Sequence, residues 1–391
     1  MHLTLHLTPA CNMACSYCYA PPRPGPAMTE EVAARALELA CRTSQASCGI
    51  VFFGGEPLLQ RGLMEAVMDR AQGLEARQGV RFHFKVTTNG LLIDDAFLEL
   101  AERRDLFVAM SLDGVREAHD RHRRLPDGSP TYELLSGKLR ALLEARPYSS
   151  VLTVVSPDTV GFLCESMEHL LELGARYLVV SLDFSASWSE DDLAELGRQY
   201  QRLGQRYLEW TRQGRKFYLS PFEVKLSSHV NRHCHRKERC ELARRQLSIG
   251  PDGAIYPCVQ FSRAGPLSSW CIGRVDTGID EQARERIHGA SEAQKQVCAG
   301  CAIAERCNNS CGCLNWQTTG TLDGVSPVLC RHEQILTPIA DGVGATLWEE
   351  RDPLFLHKHY NAAYPVLSLI EDARQRGARG GAGRGGRLQP L

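Results

Sequence analysis

Net charge is nearly absent from this sequence, which has 45 lysines and arginines against 46 aspartates and glutamates in 391 residues. Without an excess of one sign, the chain has no global field that would recruit nucleic acid or an anionic membrane. It also lacks an apolar run long enough to span a bilayer. Its first nine residues lack the basic start and the length of a secretory signal peptide. We therefore expect a cytoplasmic protein with no membrane or nucleic-acid partner.

Cysteine, in contrast, is abundant: the chain has 16, most of them in clusters. Disulfides are disfavoured in a chain without a secretory signal, because the cytosol keeps thiols reduced. Clustered thiols in that compartment indicate metal ligation. The length of the chain allows roughly two to three domains.

The first cysteine cluster is the run Cys-Asn-Met-Ala-Cys-Ser-Tyr-Cys, which contains Cys11, Cys15 and Cys18. This spacing lets one short loop place three thiolates around a cubane iron–sulfur cluster, which ordinarily takes four. One iron then stays open to bind a substrate or cofactor. A zinc knuckle is the alternative, but zinc favours four ligands and no further Cys or His follows closely.

This motif resembles that of the radical S-adenosylmethionine (SAM) superfamily. The resemblance implies that Cys11, Cys15 and Cys18 hold a 4Fe–4S cluster and that SAM binds at its open iron. Reductive cleavage of the sulfonium would then yield a 5′-deoxyadenosyl radical, chemistry that belongs to the cofactor. An electron donor such as flavodoxin or ferredoxin is implied as well.

Apolar, β-branched segments alternate with helical patterns in the first half of the chain. Strands are predicted at 3–8, 50–53, 82–87, 107–112, 151–155 and 177–182. Helices are predicted near 29–42, 63–78, 94–102, 132–144 and 159–173, the first of them capped by Thr29. The alternation predicts an α/β fold with a parallel sheet and active groups at the strand C-termini. The resemblance likewise implies a partial (β/α)6 barrel.

Small and polar residues follow three of these strands, in the runs Gly54-Gly55-Glu56-Pro57, Thr88-Asn89-Gly90 and Ser111-Leu112-Asp113-Gly114. Each run alone is also typical of a plain turn. In this order they resemble the SAM-binding motifs of the family. The resemblance implies that Glu56 holds the amino group of SAM and that Arg123, or alternatively Arg124, holds its carboxylate. The other expected cofactor contacts are Tyr17, Gly54, Gly55, Thr88, Asn89, Ser111 and Asp113.

A second group of cysteines resembles the SPASM extension of radical enzymes that modify peptides and proteins. The resemblance implies two auxiliary 4Fe–4S clusters, and therefore three clusters in all. An inner set would comprise Cys234, Cys240, Cys258 and Cys311. An outer set would comprise Cys298, Cys301, Cys307 and Cys330. A zinc site on Cys298, Cys301, Cys307 and Cys311 is the alternative, and Cys271 and Cys313 could be spare ligands or redox-active thiols.

The predicted domains are a radical SAM barrel at 1–225, an auxiliary-cluster domain at 226–334 and a helical cap at 335–373. The remaining segment, 374–391, has five arginines, many glycines and no acidic residue. Such a composition cannot bury a core, so this tail is predicted to be disordered.

These motifs are compatible with several functions. The first is a maturase that abstracts hydrogen from a ribosomally made precursor peptide and forms a thioether or carbon–carbon cross-link. The second is an anaerobic sulfatase-maturing enzyme, which oxidises a Cys or Ser of a sulfatase to formylglycine. A radical dehydrogenase of a small molecule and a non-catalytic electron-transfer protein are further alternatives. The intact cofactor motifs argue against the non-catalytic one.

Val259 separates the first two functions. In the sulfatase maturases an Asp follows the cysteine that stands here at position 258, and it acts as a base. Since an apolar side chain cannot take a proton, we favour a cross-linking maturase, with Asp183 or Glu223 as substitute bases. Only ten residues precede Cys11, so a leader peptide, if one is bound, would need a separate partner protein or the C-terminal cap.

Overall fold

A largely parallel sheet forms the centre of the computed structural model, which describes residues 1–20, 24–44, 46–231, 240–361 and 363–379. The strands are β1 His2–His6, β2 Ser47–Phe53, β3 Arg81–Thr88, β4 Phe107–Ser111, β5 Ser150–Val155, β6 Tyr177–Leu182, β7 Tyr218–Leu219, β8 Gln246–Ile249, β9 Ile255–Tyr256, β10 Gly273–Arg274 and β11 Gly278–Ile279. Within the described residues, nine of them form one sheet in the order β7-β6-β5-β4-β3-β2-β1-β8-β9.

Helices follow most of these strands. They are α1 Glu30–Thr43, α2 Arg61–Gln78, α3 Asp95–Arg103, α4 Arg116–His122, α5 Tyr132–Ala145, α6 Leu163–Glu172, α7 Glu190–Arg212, α8 Ser220–Asn231, α9 Glu281–Glu292, α10 Gly312–Thr319, α11 Pro327–Glu349, α12 Pro353–Tyr360 and α13 Tyr364–Arg379. The predicted cap is confirmed, because the Thr29 side chain accepts a hydrogen bond from the Val32 backbone N–H at 3.2 Å. Among these helices, α4, α7, α8, α9 and α10 were not predicted.

The predicted partial barrel is confirmed. Strands β1 to β6 are parallel and neighbour one another in sequence order. The linear order leaves β7 and β9 at the two edges, so the sheet does not close. Leu3, Leu5 and Leu7 are fully buried on one face of β1 and the residue after it, as expected where helices cover a parallel sheet. The strand C-termini therefore meet at one edge of the sheet.

The cysteine-rich part of the chain continues this sheet. Strand β8 pairs in parallel with β1 on the side opposite to β2, and β9 folds back against β8. The predicted boundaries at 225 and 334 both fall inside helices, α8 and α11. These helices pack together through an ion pair between Lys225 and Glu333, both fully buried. Lys225 Nζ also donates to the Arg306 carbonyl at 2.8 Å.

The C-terminal part of the chain packs back on the barrel. Asp372, on α13, accepts hydrogen bonds from Arg176 at 2.5 Å and from the Tyr148 hydroxyl at 2.9 Å. These contacts anchor a helix that continues to Arg379, so the prediction of disorder from residue 374 is wrong for 374–379. Residues 380–391 lie outside the described part of the chain. No helix among the described residues is long and apolar enough to cross a membrane.

The Lys225–Glu333 pair yields a stability prediction. Changing Glu333 to Gln should lower the free energy of unfolding by about 3–5 kcal/mol, because the Lys225 ammonium would stay buried without its counter-ion. Urea denaturation followed by circular dichroism measures the change. The control is Glu350→Gln, which breaks the part-exposed pair with Arg212 and should lower the stability far less, because water screens exposed ion pairs. Equal midpoints for the two variants would contradict the prediction.

Candidate active site

The three N-terminal cysteines lie together in the loop between β1 and α1. The thiols of Cys11, Cys15 and Cys18 are close enough to influence one another electrostatically. Backbone hydrogen bonds fix the loop on both sides. The Glu56 N–H donates to the Ala10 carbonyl at 2.8 Å, and the loop's own amides at 14 and 16 donate to carbonyls at 124 and 122. The structure thus brings the three expected ligands to the edge where the strands end.

The surroundings of these thiols fit an anionic cluster. Asn89 Nδ2 lies 3.6 Å from Cys11 Sγ, and Arg123 Nη1 lies 3.9 Å from Cys15 Sγ. Burial raises the pKa of Cys11 and raises that of Cys15 to about 11, and a bound metal would favour their thiolate forms. Among the described residues, no group of three or more His, Cys, Asp or Glu is arranged to hold a single metal ion.

Gly54 and Gly55 allow β2 to end directly against the cluster loop. A Cβ atom on Gly54 would lie 2.5 Å from the Thr8 carbonyl oxygen, and one on Gly55 would lie 2.0 Å from the Ala10 carbonyl oxygen. Gly54 also has a φ of +136°, which side chains rarely tolerate. We expected a close approach to a ligand; the approach in the structure is to the backbone of the cluster loop.

Glu56 is buried beside this loop and is held by the protein. Its carboxylate accepts hydrogen bonds from Thr88 Oγ1 at 2.7 Å, from the Asn89 backbone N–H at 2.8 Å and from the Leu58 backbone N–H at 3.0 Å. Burial raises the pKa of Glu56, while these hydrogen bonds oppose the rise. Two carboxylate oxygens offer about four acceptor sites, so a position remains for an ammonium group.

A second buried network joins the cluster loop to the end of β4. Asp113 accepts from the Tyr17 hydroxyl, from Arg123 Nε at 3.1 Å and from the Val154 backbone N–H at 3.0 Å. The Arg123 guanidinium also stacks over the Tyr17 ring at 5.5 Å. Asp113 is therefore occupied by protein donors, whereas Nη1 of Arg123 faces the cysteine loop. Ser111, also an expected contact, is buried at the end of β4.

Sequence reasoning missed a hydrogen-bonded chain that braces the cluster loop. Ser16 Oγ lies 2.6 Å from His122 Nδ1, and His122 Nε2 lies 2.9 Å from Asp158 Oδ1. We predicted a carboxylate-binding guanidinium at Arg123, or alternatively Arg124, but no helix there; in the structure α4 ends at His122, and Arg123 is its C-cap. The available signal was the helical spacing of His119 and Arg123, four residues apart. His119 is buried, which lowers its pKa to about 4, and it supports the Asp113 backbone N–H.

Three of the four cysteines in the predicted inner auxiliary set are described, and their role as cluster ligands stays a prediction. The thiol of Cys240 interacts electrostatically with those of Cys258 and Cys311. Cys234 lies outside the described residues. The structure adds another thiol to this group: Cys313 hydrogen-bonds to both Cys258 and Cys311. Cys271 does not share this arrangement in its hydrogen bonding, since its thiol donates to the Gly273 carbonyl at 3.3 Å.

The outer set converges as well. The thiol of Cys330, at the start of α11, interacts with those of Cys298 and Cys301, and the thiol of Cys307 interacts with that of Cys298. Asn309 Nδ2 lies 3.4 Å from Cys298 Sγ. Cys311 contacts a thiol of the inner set, and the choice between two auxiliary clusters and the zinc site stays a prediction.

The two substitute bases have different surroundings. Asp183 directly follows β6, and its carboxylate accepts from the backbone and hydroxyl of Ser185 at 3.0 and 2.5 Å. Glu223 is buried on α8, where it pairs with Lys358 and accepts from the Tyr207 hydroxyl at 2.8 Å. This contact with helices α7 and α12 occupies the Glu223 carboxylate. The arrangement does not favour the expected role of Glu223 as a base.

One part of the chain matches a known protein family. Residues 5–173 match the family model of the Radical SAM superfamily. The protein is thus an enzyme with a radical SAM domain, and the cysteine loop, the Glu56 site and the Asp113 network all lie in that domain.

Two relatives are similar to this chain over more than half of its length. The chain is 27% identical over 330 residues to a serine-type anaerobic sulfatase-maturating enzyme of Klebsiella aerogenes, covering 78% of this chain and 77% of the relative. It is 24% identical over 239 residues to the radical SAM cyclopropyl synthase TigE of Paramaledivibacter caminithermalis, covering 57% and 46%.

Solved structures share the fold. Native anSMEcpe with bound AdoMet superposes with a TM-score of 0.75 at 17% identity, covering 88% of this chain and 99% of that one. Streptococcus suis SuiB bound to precursor peptide SuiA gives a TM-score of 0.57 at 15% identity, covering 84% and 75%. At these identities the similarity concerns the fold.

The cysteine loop yields the first site prediction. Replacing Cys11, Cys15 and Cys18 together by Ala should reduce formation of 5′-deoxyadenosine from SAM to the metal-free background, since only this set leaves an iron without a thiolate. The reconstituted variant should lose about four iron atoms per chain and keep the rest. Mass spectrometry and an iron assay measure the two effects. Persistent 5′-deoxyadenosine would refute the role of this loop.

Glu56 yields the second site prediction. Glu56→Gln should raise the dissociation constant of SAM about ten- to a hundredfold, because a hydrogen bond to a charged group contributes about 1.5–3 kcal/mol. Since burial raises the pKa of Glu56, SAM binding to the wild type should weaken as the pH falls through that raised value. The variant should lack this dependence. Calorimetry on reconstituted protein decides it, with Glu99→Gln, on the exposed face of α3, as the control; equal affinities would contradict the prediction.

Proposed function

We propose that this enzyme modifies a ribosomally synthesised precursor peptide, forming a thioether or carbon–carbon cross-link after hydrogen abstraction by a 5′-deoxyadenosyl radical. The similarity to relatives whose names describe sulfatase maturation and cyclopropyl synthesis supports a peptide or protein substrate. Bound SAM and a reduced cluster would supply the radical. Of the products that such a radical can form, we propose a cross-link.

The residues at the strand ends have distinct roles in this proposal. Cys11, Cys15 and Cys18 hold the cluster, with N–H groups of Asn89 and Arg123 directed at its thiolates. Glu56 orients the amino group of SAM through its remaining acceptor position. Arg123, held in place by Asp113 and Tyr17, presents its terminal nitrogens to the carboxylate of SAM, for which a guanidinium is well suited.

The residue at position 259 distinguishes the two candidate reactions. Val259 follows Cys258 at the start of a short 3-10 turn and packs against the hydrophobic core. Its neighbour Gln260 is hydrogen-bonded to Gln317 at 2.7 Å. Neither side chain can remove a proton from a substrate thiol or hydroxyl. This local chemistry supports a cross-linking maturase over a formylglycine-generating one.

A base, where the reaction needs one, would come from the strand ends. Asp183 directly follows β6 at the edge where the cysteine loop lies, whereas Glu223 is occupied by Lys358. We therefore propose Asp183 ahead of Glu223. A small reductant such as flavodoxin or ferredoxin would supply electrons, and a separate protein would present the leader peptide. Because the cytoplasm keeps thiols reduced, the many free cysteines of this chain favour a cytoplasmic location.

Formylglycine is an alternative that one experiment tests. Incubated anaerobically with SAM and dithionite, the enzyme should convert no Cys or Ser in a sulfatase-derived peptide to an aldehyde, because Val259 offers no lone pair. Mass spectrometry after hydrazide trapping detects the product. A control peptide reaction with an authentic sulfatase-maturating enzyme shows that the assay works. Aldehyde formation by the wild type would promote the alternative over our proposal.

The number of clusters is tested by metal analysis. We propose three cubanes, which predicts about twelve iron and twelve sulfide ions per anaerobically reconstituted chain, four of each per cluster. A plateau near four iron ions, or stoichiometric zinc, would contradict the auxiliary clusters and leave the radical SAM site untouched.

A further inference from the structure

A thiol outside the expected ligand sets lies within the inner auxiliary site. Cys313 is buried, its Sγ atom is 3.4 Å from Cys311 Sγ, and it also hydrogen-bonds to Cys258. Cys240 interacts with both Cys258 and Cys311. The described part of the site therefore presents four sulfur atoms, and Cys313 contacts two of the expected ligands directly.

The packing of α10 holds Cys313 in this position. Cys311 precedes the helix, and Gly312 is its first residue. A Cβ atom on Gly312 would lie 2.9 Å from Ser291 Cβ and 3.0 Å from a Leu242 methyl group. Asn315, fully buried one turn later, donates to the Asn309 carbonyl at 2.9 Å. With the helix start fixed in this way, Cys313 can change its contacts only by rotating its side chain.

The distance between the two sulfurs has a chemical consequence. Thiolates on different irons of one cubane do not touch each other, so Cys311 and Cys313 cannot both be ligands where they stand. We propose that Cys313 is a reserve ligand of the inner auxiliary cluster, able to bind iron in place of Cys311. In the exchange the iron–sulfur bond to Cys311 breaks and one to Cys313 forms. The thiol proton of Cys313 passes to the released thiolate, and no electron moves. This inference rests on the proposed auxiliary clusters.

Replacement of the two cysteines separately and together tests the reserve role. Reconstituted Cys311→Ala should keep the iron and sulfide content of the wild type and a shifted electron paramagnetic resonance signal of the inner cluster. The double variant Cys311→Ala, Cys313→Ala should lose about four iron atoms per chain. Cys330→Ala is the matched control, because the outer set has no such neighbouring thiol among the described residues; it should lose iron as a single variant.

The iron content of the variants can contradict the reserve role of Cys313. If Cys311→Ala loses as much iron as the double variant, or if the double variant loses none, the reserve role is wrong. Should Cys311→Ala fail to fold, Cys313→Ala decides, since it should keep all the iron but shift the inner-cluster signal; an unchanged signal overturns the inference. A wild type without an inner-cluster signal would instead contradict the proposed clusters.

A separate observation concerns the charge of the sheet. None of its nine strands, in the described part of the chain, contains an Asp or Glu. The basic residues fall at alternate positions and so share one face; they are His2, His6, Arg81, His83 and Lys85. His6 Nε2 and Ser248 Oγ, 2.7 Å apart, lie on this inner face, while Leu3 and Leu5 are buried on the other side of β1.

Lys85 is the one lysine among these basic residues. Its ammonium lies 5.7 Å from the centroid of the Phe107 ring, and no carboxylate of the described residues pairs with it. Burial lowers the pKa of Lys85, which reflects the cost of holding an unpaired charge away from water. The nearest strand-end carboxylates, Glu56 and Asp113, are engaged by their own donors. A ligand carboxylate is the missing complement.

We also infer that this inner face binds an Asp or Glu side chain of the substrate peptide through Lys85. The inference deepens the proposed function, because it assigns an acidic residue to the substrate. The same face ends at the edge that carries the cysteine loop, so a peptide anchored at Lys85 extends toward the site of radical formation.

A randomised peptide library displayed on its own messenger RNA supplies the probe. Selected on SAM-loaded wild type, it should become enriched in Asp or Glu at one position. Lys85→Glu should replace that preference with Lys or Arg. Lys138→Glu is the matched control, since Lys138 lies on α5 and donates to the Ile93 carbonyl; it should select as the wild type does.

The outcomes separate this inference from the proposal beneath it. Peptides enriched without an acidic preference, or an acidic preference that persists in Lys85→Glu, would overturn the role of Lys85. No enrichment of any peptide would contradict the peptide substrate itself. The iron content and the circular dichroism spectrum of all three proteins, measured on the same samples, confirm that each variant is folded and loaded.

Discussion

The site depends on the close contact between the cysteine loop and the end of β2. Backbone meets backbone there, since neither Gly54 nor Gly55 leaves room for a Cβ atom against the carbonyls of Thr8 and Ala10. This contact fixes the loop relative to Glu56, whose own N–H bonds to the loop. Because Glu56 in turn accepts from the end of β3, three consecutive chain segments are positioned together. Cluster and cofactor groups gain their mutual geometry from this one constraint.

Buried charges divide into two kinds in this protein. Asp113 with Arg123 and Lys225 with Glu333 are paired and hydrogen-bonded inside the fold, which offsets much of their desolvation. Lys85 stands on the inner face without such a partner among the described residues. A paired buried charge positions other groups, whereas an unpaired one is suited to bind a ligand of opposite charge. The distinction separates the structural charges from the candidate substrate contact.

The auxiliary-cluster region is joined to the barrel more closely than its sequence suggests. Strand β8 extends the barrel sheet beside β1, and α8 and α11 cross the expected boundaries at 225 and 334. Cys330 belongs to α11, so a proposed ligand of the outer set is carried by the same helix that contributes Glu333. Elements that carry the proposed inner and outer sets therefore also pack on the barrel.

The sequence by itself determined the parallel sheet, most of its helices and the grouping of cysteines, because hydrophobic periodicity and ligand spacing are local properties. It also determined Val259, since the lack of a proton acceptor needs no geometry. Only the tertiary structure decided that Asp113 pairs with Arg123, that Glu223 is occupied by Lys358 and that Cys313 lies against Cys311. These contacts join residues on different elements, or depend on rotamers within a packed site, and no local pattern encodes them. Helix α4 was missed for a related reason: its seven residues are too few for a period, and its contacts with the cluster loop and with β4 hold it in place.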